Sequence, residues 1–297
     1  MARKKDVLDR LAERLARGEI SESTYLSIKE RYEKSGFPEE EPQVKEICIT
    51  LPDLSGMFPA VHKGDFEGDD YCCQGVGKVS GHLKARHAKV IGVCKIGETM
   101  ETDILETLGA LKVGEGISTE ELRNSGALGV GGSVKAKKVE SSGSLKIHGD
   151  VETESFTNSG ACRIKKNLKC NGDVVQSGAL KVGKDIDAKN YQSTGSFRVG
   201  GRIKAEEIDI EITSDSRASV LEALHITVKS SAGGGKLRCE TVKGKSIHLE
   251  ATDADLVEGD DVYIGPRCRI RKVVAQNLKA HETAKIETKE VGSGEAK

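Results

Sequence analysis

SGALKVGKDIDAKNYQ, residues 177–192, places apolar or small side chains at Leu180 and Val182, at Ile186 and Ala188, and at Tyr191. Two such residues spaced two apart mark a short strand with alternate side chains turned inward, and the glycine and polar residues between the pairs mark corners. The same spelling returns as SGSLKIHGDVETESF, residues 142–156, and as TGSFRVGGRIKAEEI, residues 194–208. A glycine opens each unit, at Gly75, Gly92, Gly109, Gly126, Gly143, Gly160, Gly178 and Gly195, in steps of 17 residues with a single step of 18. The unit at Gly92 looks unlike the others, yet the same offsets give Cys94, Ile96, Met100, Thr102 and Leu105.

A fixed period of this size indicates a solenoid whose units cannot fold singly. Three short strands per unit close a triangular coil. At ~3.3 Å per residue the perimeter is roughly 56 Å, and successive coils stack about 4.8 Å apart through backbone hydrogen bonds. The expected fold is therefore all-β, a single-stranded β-helix solenoid with regular rungs over residues 75–212. Its core ladder is expected at Leu111, Val113, Leu128, Val130, Leu145, Ile147, Leu180, Val182, Phe197 and Val199. Composition agrees, because aromatic residues are 3%, tryptophan is absent and glycine numbers 34, so a large aromatic-centred core is not on offer.

The flanks read differently. Residues 1–34 suggest a helical hairpin, with Leu8, Leu11 and Leu15 on one face, Gly18 as a stop, Ser21 as an N-cap, and Tyr25, Ile28 and Tyr32 on the second helix. Residues 35–74 read as linker and cap, opening with the proline- and glutamate-rich SGFPEEEPQ. After Ile212 the glycine anchor is lost while alternation persists, so residues 213–288 are expected to form less regular rungs and residues 289–297 a disordered tail. No apolar run approaches the roughly 18 to 20 residues that span a bilayer, and no apolar signal core opens the chain. The expected location is the cytoplasm, with a peripheral position at the inner face of the membrane as a variant.

The repeats resemble the rungs of bactofilins, a polymer-forming cytoskeletal family with a right-handed β-helix. DDVYIGPRCRIRKVVAQNLKAHETAKIE, residues 260–287, is similar to the C-terminal part of longer relatives in that family, and LDRLAERLARGEISESTYLSIKERY, residues 8–32, is similar to the paired-helix SHOCT motif. The resemblance implies end-to-end filament assembly without nucleotide, partners recruited through residues 1–34, no cofactor and no small-molecule substrate. The absence of a G-x-x-x-x-G-K-[ST] loop and of a dinucleotide fingerprint is consistent with that. Two departures stand out: the helical hairpin and the long irregular C-terminal part. The alternative is an enzyme, a hexapeptide-repeat acyltransferase, because VYIGPRCRI resembles that motif; its 18-residue coils fit the dominant 17-residue step poorly.

Three residues after each anchor stands Lys78, Lys95, Lys112, Gly129, Lys146, Arg163, Lys181 or Arg198, which predicts a one-sided basic ladder. Solvation and protection against sideways aggregation would explain it, and so would weak docking of anionic lipid, wall polymer or nucleic acid. The column Ser125, Ser142, Ser159, Ser177 and Thr194 suits corner hydrogen bonding better than nucleophilic chemistry, since no histidine recurs beside it. Lysine plus arginine (46) nearly balances aspartate plus glutamate (47), so any charge-based binding has to come from local arrangement. The eight cysteines show no C-x-x-C spacing and read as reduced thiols, with Cys94, Cys162 and Cys170 inside the coil. Neither the scattered histidines nor the vicinal Cys72 and Cys73 form a convincing metal set, so no metal and no catalytic residue is expected.

Overall fold

A computed structural model describes residues 60–231 and 234–292. The expected hairpin and the first part of the linker and cap, residues 1–59, lie outside the described residues, as does 293–297. What is described is an all-β parallel solenoid of about 13 turns with ~17-residue spacing and no helix.

One rung shows how the sequence makes it. Ser144–Ile147, Val151–Thr153 and Ser155–Asn158 are three short strands divided by corners. Each hydrogen-bonds in parallel to its counterparts above and below: Leu145 to Leu128 and Cys162, Val151 to Val134 and Leu168, and Phe156 to Val139 and Val174. Three ladders result, and alternate residues of every strand enter one continuous core. Leu111, Leu128, Leu145, Leu180 and Phe197 stack in one inner column, and Val113, Val130, Ile147, Val182 and Val199 in the next, all at most 3% exposed. Burial gives roughly 1.5 to 3 kcal/mol gross per large side chain, which the ordering of short strands largely offsets, so stability depends on neighbouring rungs.

The glycine period has a steric cause. A Cβ on Gly143 would lie 2.0 Å from the Gly126 carbonyl oxygen, and one on Gly160 would lie 2.1 Å from that of Gly143. Corners therefore stack backbone on backbone, with no room for a side chain between them. The one 18-residue step is also located: Thr153 pairs with Cys170, 17 residues on, while Phe156 pairs with Val174, 18 on, so the extra residue sits at Asn171–Gly172.

Two boundaries differ from expectation. Ala60 pairs with Gly77 and Phe66 with Leu83, so residues 60–74, expected within a cap, already form a rung. At the other end Lys285–Val291 is a strand paired with Arg269–Ala280, so Lys289 to Val291 belongs to a rung and not to a tail. Between these ends the coil continues past Ile212 with changed spacing. Ile208 pairs with Ile226, Val220 with Thr241, Leu237 with Thr252, and Arg269 with Lys285, steps of 18, 21, 15 and 16 residues.

A sixth inner column is polar. Thr107, Asn124, Ser141, Asn158, Gln176 and Ser193 are at most 3% exposed, just inside the glycine corner. Asn124 Nδ2 donates to Ser141 Oγ (3.1 Å) and to the Ser144 carbonyl (3.2 Å), and Gln176 Nε2 donates to Ser193 Oγ (3.3 Å) and to the Ser196 carbonyl (2.9 Å). Asn158 Nδ2 reaches the Gly160 and Ala179 carbonyls. These amides tie one rung to the next where the chain turns.

Candidate anion-binding face

The first ladder carries the basic residues. Its strands have four residues, of which the second and fourth point inward and the third outward. In-register pairing stacks the third positions as Lys78, Lys95, Lys112, Gly129, Lys146, Arg163, Lys181 and Arg198, and all seven cations are exposed. The register extends the column to positions that spacing did not reach, because Arg198 pairs with Arg217 and Arg217 with Arg238. Asp253 then interrupts it before Arg269 and Lys285.

The other ladders treat charge oppositely. The outward column of the second ladder runs Glu67, Lys84, Glu101, Ser118, Lys135, Glu152, Lys169, Asp187, Lys204, Glu222, Lys243 and Glu258, in which, with the uncharged Ser118 the one exception, the sign alternates from rung to rung. The third ladder opens similarly with Lys89, Glu106, Arg123 and Glu140. Ion pairs follow: Lys84 with Glu67, Lys204 with Glu222 and Lys243 with Glu258 on the second ladder, and Lys89 and Arg123 with Glu106 on the third. From Lys78 to Arg217 the basic column makes no ion pair and no side-chain hydrogen bond among the described residues. Like charges about 4 Å apart repel by roughly 1 kcal/mol in bulk water, so the column carries a standing electrostatic cost that alternation avoids elsewhere.

His148 lies beside this face. Its pKa is held below the usual histidine value by partial desolvation and then by Lys165, Lys146 and Lys112, the direction a local positive field produces. At the adjoining corner Ser125, Ser142, Ser159, Ser177 and Thr194 are exposed, and Ser142 Oγ donates to Ser125 Oγ at 3.4 Å. Compared with family models, curated proteins and solved structures, the chain matches none.

Other candidate groups have local partners. His82 contacts Thr99 Oγ1 and Glu98, both at 2.6 Å, and His87 contacts Asp70 at 3.0 Å. Cys73 and Cys94 lie inside the coil, where Tyr71 Oη and Cys94 Sγ are 3.1 Å apart. Cys72 is half-buried, and Cys162, Cys170, Cys239 and Cys268 are buried free thiols. Burial pushes the Cys162 and Cys239 thiols up to about 12 and Cys268 to about 11. Such thiols are protonated and inert at neutral pH.

Proposed function

We propose that the chain is a structural rod that associates end to end without nucleotide, in the manner its resemblance to bactofilins implies. The observation that carries this reading is the last rung. Lys285–Val291 pairs with a strand on one side only, among the described residues, and its other edge presents backbone N–H and C=O groups in the parallel geometry every rung already uses. Val291 is exposed and Ile286 half-buried there, so a further rung would cover apolar surface as well. An edge of this kind is a template for another strand, and a head-to-tail contact that does not close gives a filament. In this reading the coil is right-handed and residues 1–34 recruit partners. Electron microscopy of the purified full chain without nucleotide tests it. Rods joined end to end are expected, and discrete trimers that bind an acyl donor would overturn it in favour of the acyltransferase.

A further inference from the structure

Eight large apolar side chains stand exposed among the described residues, and five of them, Val61, Val76, Ile91, Val93 and Leu108, gather at one end of the basic face. Register makes the group contiguous. Val61 neighbours Lys78 in the basic column itself, and Val76 neighbours Val93 in the column beside it. Ile91 and Leu108 occupy successive corners leading into that column, the Gly109 turn lying directly on the Ile91 carbonyl. Val76, Val93 and Leu108 are each more than half exposed, beside Lys78, Lys95 and Lys112.

We propose that this face is a docking surface for an anionic bilayer, with the cations of the column against lipid headgroups and the five apolar side chains entering the interfacial layer. Two observations require the two halves of that partner. A column of cations without acids needs negative charge, and apolar side chains exposed beside it need a non-aqueous neighbour. A nucleic acid would meet the first requirement only, and among the described residues no outward aromatic side chain on this ladder offers a base a stacking platform. The register also suits a surface on one side. Residue-for-residue pairing keeps the outward third positions on one ladder, so successive cations are presented on the same side of the coil. The proposal needs one chain only and goes beyond the rod reading.

Co-sedimentation of the full chain with phosphatidylcholine vesicles, with and without phosphatidylserine, is the test. Binding is expected to the phosphatidylserine vesicles and to weaken with salt. Substituting Lys78, Lys95 and Lys112 by Gln is expected to cost about a hundredfold in binding, from roughly 1 kcal/mol per lysine near an anionic surface. Substituting Lys84, Lys204 and Lys243 by Gln, taken from the alternating column, changes net charge equally and is expected to alter binding by less than about threefold, as these cations are paired with Glu67, Glu222 and Glu258. The double variant Val93→Ser and Leu108→Ser is expected to weaken binding with the lysines intact. Its side chains are exposed, so an unchanged β-rich circular dichroism spectrum accompanies the loss. Equal losses in the two lysine variants, retention of binding by the serine variant, or binding to duplex DNA with none to vesicles would overturn the proposal. Because vesicle binding is read on dilute protein and filaments by microscopy, either reading can fail without the other.

Discussion

Gly143→Ala adds one methyl group where two corners touch. The new Cβ would sit 2.0 Å from the Gly126 carbonyl oxygen and 2.5 Å from that of Ser125, so reaching 3.0 Å requires the corners to part by roughly 1 Å, against a rung spacing of about 4.8 Å. Three backbone hydrogen bonds cross that gap: Ser142 N and Gly143 N to the Asn124 carbonyl at 2.9 and 3.2 Å, and Ser144 N to the Gly126 carbonyl at 2.8 Å. Losing two of them costs about 1 to 3 kcal/mol, and overpacking adds about 1 to 3. The lower unfolded-state entropy of alanine returns about 0.4 to 1 kcal/mol, leaving a net loss of roughly 2 to 5. Gly129 is the control, because a Cβ there meets nothing within 4 Å and projects from the basic column. Gly129→Ala is expected to be neutral or to stabilise by up to about 1 kcal/mol. Urea unfolding followed by circular dichroism reads both. A loss below about 1 kcal/mol at Gly143, or an equal loss at Gly129, would refute the claim that backbone contact between corners selects glycine.

Leu145→Ala empties a site 1% exposed between Leu128 and Cys162 and should cost about 2 to 5 kcal/mol in the same assay. Asn158→Ala removes the donor to the Gly160 and Ala179 carbonyls and should cost about 1 to 3 kcal/mol, whereas an exposed change such as Thr157→Ala should stay within about 0.5. Raising pH should destabilise the coil through its thiols. Cys162, Cys239 and Cys268 hold their protons in the folded state to about 12, 12 and 11, against 9.0 for a free thiol. Their stabilising contribution is full below pH 9 and falls as pH rises through the folded values, because the unfolded chain releases those protons first. Replacing the three by alanine should flatten the alkaline limb of stability measured between pH 9 and 11, and an unchanged limb would count against this cause.

The coil was legible because its inward residues are chemically distinctive where the strands are short. Leu180, Val182, Ile186 and Tyr191 announce three faces in one unit, and stacking in register forces the same spelling on the next. The inner column of Asn124, Asn158 and Gln176 was not legible, since amides are usually solvent-facing and nothing local says that these reach the carbonyls of the following rung. The coil before Gly75 was hidden because Phe66 and Tyr71 belong to a rung without an upstream anchor in the series. Beyond Ile212 the corners lengthen and shorten, so the eye loses the period while the ladder keeps it, and Arg217 and Arg238 joined the basic column only through pairing. The alternating charges of the second ladder were equally invisible, because each sign has its meaning only beside the residue one coil away.

Rung stacking predicts distances that grow linearly with rung number. Spin labels at the outward positions Ala110 and Ser196 are five rungs apart and should lie about 24 Å apart; labels at Val76 and Ser196 are seven apart and should lie about 34 Å apart. Pulsed dipolar spectroscopy on labelled chains diluted with unlabelled ones measures both. Narrow distributions at those two values are the expected result, and a separation that fails to increase from the first pair to the second would contradict the coil.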